Sequence, residues 1–151
     1  METLTFDITS AADLARAAET LLERARSLAT EQSGAVVLAL SGDLGAGKTT
    51  FVQTMARLLG VTDTVTSPTF VIMKQYETAD TTFAQLIHID AYRIEVIDEM
   101  RPLGFVPLLE QATTLICIEW AERITTLLPT NTITATLTLE TDGTRTLTSN
   151  S

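Results

Sequence analysis

Cysteine is almost absent from this chain: Cys117 is the only one, and it lies inside an apolar run. An internal disulfide framework is thereby excluded, and a reducing compartment is expected. Long apolar runs are missing too, since none reaches the roughly 18 residues of a membrane-spanning helix. The first ten residues, METLTFDITS, hold no basic stretch followed by an apolar one. No secretory leader and a cytoplasmic location are therefore expected. Lysine is scarce, with only Lys48 and Lys74, and the arginines are scattered. Against this the acids are plentiful, and the formal net charge is −9. Proteins that grip nucleic acid by its backbone carry a basic stripe. Binding to DNA, and tight direct binding to RNA, are not expected here. A role near nucleic acid would run through another protein. The same charge repels a small anion at long range. Salt screens that repulsion beyond about 8 Å, so a local cluster of N–H donors and one ammonium can still hold one.

What is present suffices for a core. The 151 residues are 45% hydrophobic, and a chain of this size can bury roughly 70% of its unfolded surface without metal or disulfide. One domain, residues 1–151, is expected. Residues 3–8 alternate as a short strand. Ser10 is a good N-cap for a helix over 11–29, with Leu14, Ala18, Leu21, Leu22, Ala25 and Leu28 on one face. AVVLAL (35–40) is continuous apolar sequence, as in a strand buried on both faces. A glycine-rich turn and a helix over 51–60 follow. Further strands are expected at 71–77, 83–90 and 114–120, with 91–112 helical or irregular and 121–128 a short helix stopped by Pro129. Residues 132–140 and 142–149 flank Asp142-Gly143, the signature of a hairpin. Threonine makes up close to a fifth of the chain, so any single threonine says little.

The glycine-rich turn reads Gly42-Asp43-Leu44-Gly45-Ala46-Gly47-Lys48-Thr49-Thr50, which contains G-x-x-x-x-G-K-[ST]. Each position has a physical task. A triphosphate needs many N–H donors converging, and the glycines let the backbone curl and approach without a Cβ in the way. The following helix adds its positive end. Lys48 can reach the β- and γ-phosphates, and the Thr49 hydroxyl can join a Mg²⁺ shell. Hydrolysis also needs an acid, and two buried strands end in one: LIHID at Asp90 and LICIE at Glu119. One would serve the metal and the other the attacking water, in an order the sequence leaves open; either could instead be an N-cap or a solvated strand end. Thr66-Ser67-Pro68-Thr69 is either a loop that meets the γ-phosphate or an ordinary loop entry. His88 reads as core or as support for a site residue, and Trp120 as core or as a lid. Neither N-K-x-D nor D-x-x-G occurs, so a switch GTPase is disfavoured and ATP is the default.

Taken together, GDLGAGKTT, SPTF (67–70), HIDAYR (88–93) and IEWAER (118–123) make the chain similar to the TsaE (YjeE) family. These are small bacterial ATPases required for the threonylcarbamoyl modification of adenosine beside the anticodon of certain tRNAs. The resemblance runs from about Ser10 to the end of the chain. It implies an α/β P-loop NTPase fold, with a mixed parallel and antiparallel sheet flanked by helices. It implies phosphate binding by Gly42 to Thr49, Mg²⁺ held by Thr49 and Glu119, and an essential acid at Asp90 close to metal and water. It associates Ser10, Trp120 and Arg145 with the nucleotide or with activity, and Thr66 to Thr69 with a switch-like loop. Its members act with two related subunits, TsaB and TsaD, which bind the tRNA; an acidic chain could thus serve tRNA modification without a basic face. The chain departs from the family at Phe105-Val106-Pro107-Leu108, where an acidic residue or two is common. The implied activity is a slow ATPase that a partner complex stimulates. Two alternatives stay open on the residues alone. One is a small-molecule kinase, which would need more arginines than Arg93, Arg101, Arg123 and Arg145 beyond the loop helix. The other is an adaptor that senses nucleotide without cleaving it.

Overall fold

In the computed structural model, which describes residues 3–66 and 72–150, seven strands form one sheet. They are β1 (Thr3–Ile8), β2 (Val36–Gly42), β3 (Met73–Glu77), β4 (Gln85–Asp90), β5 (Thr114–Glu119), β6 (Ile133–Leu139) and β7 (Arg145–Asn150). Their order is β1-β7-β6-β2-β5-β4-β3. The inner four, β6, β2, β5 and β4, run parallel. β3 joins β4 antiparallel at one edge, and β7 and β1 close the other antiparallel. The mixed sheet expected from the resemblance is therefore present.

The apolar run at 35–40 is buried on both faces, as its lack of alternation implies. Val36, Leu38 and Leu40 face one core cluster, and Ala35, Val37 and Ala39 the other. The first cluster lies under two helices, α1 (Ala11–Glu31) and α2 (Lys48–Leu58). α1 starts where Ser10 Oγ accepts the Asp13 amide at 3.2 Å, and the Asp13 carboxylate in return accepts the Thr9 amide at 3.0 Å. This is a reciprocal cap of the helix start. Ala17, Ala18, Leu21, Leu22 and Ala25 are its buried face; Leu14 and Leu28, expected on that face, pack against the cluster while only partly buried. The second cluster is covered by shorter pieces: a 3-10 turn (Ile97–Met100), α3 (Phe105–Leu108) and a 3-10 stretch (Ala121–Leu127). Gly104 stands between the first two at φ 72°, so the 91–112 region resolves into single turns rather than a helix. Ile94, Met100, Phe105 and Ile124 are its anchors on the sheet.

Element boundaries shift by a few residues from the sequence expectation. α2 begins at Lys48, β4 at Gln85 and β3 at Met73, while residue 71 lies outside the described residues. The hairpin forms as expected, with Gly143 at φ 89° and Asp142 Oδ1 accepting the Thr144 amide at 2.9 Å. Among the described residues no helix is long and apolar enough to cross a membrane.

One tertiary tie carries a stability prediction. Arg26 on α1 reaches Asp80 at 2.5 Å, and the Asp80 carboxylate also accepts the amides of Thr82 and Phe83. Burial pushes the Asp80 carboxyl up, but Arg26 and the two amides outweigh it and hold the group below its ordinary value. A lowered folded value means the stabilisation is full above the unfolded pKa of about 3.9 and is lost as pH falls through the folded one. Asp80→Ala should cost about 1–3 kcal/mol at neutral pH. Urea melts at pH 7 and pH 3 should show the gap between wild type and variant closing on the acid side.

Candidate functional site

The parallel strands bring their C-terminal ends to one edge, where α/β sheets bind ligands. There Leu40 of β2, Glu119 of β5 and Asp90 of β4 stand in one row of register. The chain leaves β2 through the loop 42–47 and re-enters as α2. Gly42 sits at φ 143°, and a Cβ there would lie 2.4 Å from the Leu137 carbonyl oxygen on β6. Only glycine lets the loop start this close to the sheet. Gly47 is the N-cap of α2 at φ 105° and offers no side-chain cap. The amides of the first turn of α2 are therefore not claimed by a capping side chain, which suits an anion.

Lys48 is buried, and its ammonium donates to the carbonyls of Gly42 at 2.5 Å and Asp43 at 3.0 Å. It also lies 4.2 Å from the Trp120 ring centroid. Burial pushes this lysine below its ordinary range, against the pull of the Glu119, Glu122, Asp90 and Asp43 carboxylates. Thr49, one residue on, points its hydroxyl at Glu119, 2.9 Å from Oε1 and 3.0 Å from Oε2. Glu119 is 3% exposed and is also contacted by His88 Nε2 at 2.6 Å. Asp90, equally buried, accepts the Tyr92 amide at 2.9 Å on Oδ1. A hydroxyl and a carboxylate together, with a second carboxylate on the next strand, make a donor set for a hard divalent cation. Among the described residues no three His, Cys, Asp or Glu side chains cluster to hold a metal alone. A Mg²⁺ here would draw its remaining oxygens from phosphate and water, which is its usual habit.

Two cavities meet at the loop. One, of 380 Å³, is walled by Lys48, Thr49, Asp90, Glu119, Trp120 and Leu44. The other, of 460 Å³, lies on the far side and includes Ser10, Leu14, Ala46, Arg57 and Thr144. Gly47, Thr50 and Arg145 line both, so they form the divide. Arg145 spans it by donating to the Ala46 carbonyl at 3.0 Å and the Gly45 carbonyl at 3.3 Å.

The residues singled out in the sequence thus fall into three groups. Asp43 to Thr50, Asp90, Glu119, Trp120 and Arg145 converge on the loop. Ser10 caps α1 and lines the wall of the larger cavity. Thr66 lines neither cavity and accepts Lys74 Nζ at 2.6 Å, while Ser67, Pro68 and Thr69 lie outside the described residues. Of the open alternatives, His88 is buried in the core against Glu119, and Trp120 lies over Lys48. The indole reaches Lys48 because Trp120 takes a left-handed φ of 57° as the chain leaves β5. Tyr92 is the residue missed. Its ring centroid lies 5.0 Å from that of Trp120 and 5.5 Å from the Arg123 guanidinium carbon. Its signal was an aromatic two residues past a strand-end acid.

The chain is similar to several known proteins. The sequence model of threonylcarbamoyl adenosine biosynthesis protein TsaE matches residues 9–147. The tRNA threonylcarbamoyladenosine biosynthesis protein TsaE of Treponema pallidum is 37% identical over 117 residues, 78% of this chain and 82% of that protein. The protein of the same name from Bacillus subtilis is 44% identical over 93 residues, 62% of this chain and 55% of that protein. The crystal structure of Bacillus subtilis YdiB superposes with a TM-score of 0.66 at 27% identity, covering 98% of this chain and 84% of that one. A family match across nearly the whole chain, on a P-loop fold with this row of strand-end acids, shows that the chain belongs to the TsaE family.

Proposed function

We propose that this chain binds and hydrolyses ATP as an accessory protein in tRNA N6-threonylcarbamoyladenosine formation, acting in the cytoplasm on a partner complex of TsaB and TsaD type. The names of its relatives support the pathway. The observation that carries the ATPase reading is the Thr49 hydroxyl 2.9 and 3.0 Å from the Glu119 oxygens. That contact joins the loop to a buried strand-end acid, as a shared cation requires.

The residues divide the work as follows. The loop amides and Lys48 receive the phosphates, and the larger cavity beside Ser10, Thr50 and Arg145 receives the nucleoside. Thr49 and Glu119 would hold Mg²⁺, which would supply positive charge to offset that of the phosphates. Asp90 orients the attacking water and takes its proton as the oxygen bonds to the γ-phosphorus and the bond to the ADP oxygen breaks. Trp120 and Tyr92 cover the phosphate side and limit stray water. Arg145 is engaged by loop carbonyls, and Arg123 lies against Tyr92 and the Ile94 carbonyl. Neither of these two arginines is thereby committed to the γ-phosphate, a contribution worth roughly 10³–10⁵ in rate where it exists. Turnover alone should be slow, and a partner that turns Arg93 or Arg123 toward the γ-phosphate should accelerate it. The net charge of −9 fits contact with tRNA only through those subunits.

The test is ATP turnover measured alone and with the two partner subunits. Stimulation that disappears in Lys48→Ala is expected. No stimulation, or stimulation that survives that change, would overturn the reading.

A further inference from the structure

We infer that His88 is a positioning residue for divalent-cation binding: it fixes the Glu119 carboxylate so that Thr49 and Glu119 meet the cation already oriented. The inference rests on the proposed cation site and goes beyond it by assigning a residue outside that donor set.

β4 and β5 pair in parallel with His88 opposite Cys117 and Asp90 opposite Glu119. Side chains alternate along a strand, so His88, Asp90, Cys117 and Glu119 share one face, and His88 stands diagonally behind Glu119. His88 is 0% exposed. Its Nε2 lies 2.6 Å from Glu119 Oε2, and its Nδ1 is buried with no partner among the described residues. Those two facts fix the proton. A proton on Nδ1 alone would leave a buried N–H without an acceptor and set the Nε2 lone pair against a carboxylate oxygen. A proton on Nε2 makes the bond and leaves only a lone pair unmatched. An unmade hydrogen bond of a buried donor is the costlier outcome.

The consequence is mechanical. A glutamate has three side-chain torsions to order, and ordering them costs free energy whenever it happens. With Oε2 held by His88 and the Thr49 hydroxyl facing both oxygens, that cost is met on folding instead of on cation binding. Partners of this kind typically account for 10–100-fold in metal affinity. A histidine placed only to fill the core would act through its volume. A positioning histidine acts through the place of one N–H.

The experiment compares wild type with His88→Gln, His88→Asn and His88→Leu in the full chain. Binding of a non-hydrolysable ATP analogue is followed as Mg²⁺ is varied. Glutamine carries its amide nitrogen at about the reach of Nε2, whereas asparagine carries it where Nδ1 would be. His88→Asn and His88→Leu should need about 10–100 times more Mg²⁺ for the same tightening. His88→Gln should stay close to wild type, and binding without Mg²⁺ should be alike in all four. Normal Mg²⁺ dependence in His88→Leu, or a His88→Gln as impaired as His88→Asn, overturns the role of His88 while leaving the cation site intact. A wild-type chain whose nucleotide binding ignores Mg²⁺ overturns the cation site itself, and this role with it. If His88→Leu does not fold, the glutamine–asparagine pair decides. A second readout needs no metal. The chain has one histidine, so a ¹⁵N spectrum of its ring reads one residue. A proton on Nε2 is expected, and an Nε2 without one overturns the inference.

Discussion

Asp90→Asn should lower partner-stimulated ATP turnover by about 10²–10⁴-fold, the usual worth of a positioned general base, while nucleotide affinity and its Mg²⁺ dependence stay close to wild type. The proposed division of labour rests on Glu119, the acid that faces the Thr49 hydroxyl. Glu119 is held by Thr49 and by His88. Asp90 is held at Oδ1 by the Tyr92 amide, an acceptor role that asparagine keeps. The substitution is isosteric at a site only 3% exposed, so packing is preserved and the loss falls on proton acceptance. Single-turnover rates set against equilibrium binding of the same variant separate the two. A variant that hydrolyses at the wild-type rate, or one that loses its Mg²⁺ dependence, would assign the roles the other way round.

Lys48→Ala is the second large effect. Hydrogen bonds from a charged donor are worth about 1.5–3 kcal/mol each, so affinity for the nucleotide should fall roughly 10–100-fold. Turnover should fall further, by about 10²–10³, because the ammonium is most needed where charge develops. The two carbonyls that Lys48 meets, of Gly42 and Asp43, lie at the loop where water can replace it, so the fold should survive, with an unchanged urea midpoint as the control. Lys48→Arg should not rescue the loss. A planar guanidinium does not replace a compact ammonium between two carbonyls and an indole face. Since burial lowers the proton affinity of this lysine, wild-type binding should also weaken on the alkaline side before an ordinary lysine would titrate.

Much of the site could be read in the sequence because its parts are local. The loop motif, the Ser10 cap and the two acids closing apolar runs each need only neighbouring residues to be recognised. The β2 run could be assigned to a doubly buried strand because it lacks alternation. What could not be read is what depends on strand order. Nothing in residues 3–8 shows that β1 pairs with β7, nor in 133–139 that β6 lies parallel to β2. Consequently the approach of Leu137 to Gly42, and the bridging of the loop by Arg145, were invisible. Among the described residues, three without the freedom of glycine, Ile72, Thr113 and Trp120, take positive φ. Tertiary context holds them there: the Ile72 carbonyl accepts the Asp90 amide at 2.8 Å. A β-branched residue in that conformation has no sequence signal, because its own preference argues against it.

Calorimetric titration of the chain with a non-hydrolysable ATP analogue, with and without Mg²⁺, bears most directly on the loop as a triphosphate cradle. One molecule bound per chain is expected, tightened by Mg²⁺ and severely weakened in Lys48→Ala. Absence of saturable binding, or binding that neither Mg²⁺ nor Lys48→Ala alters, would contradict it.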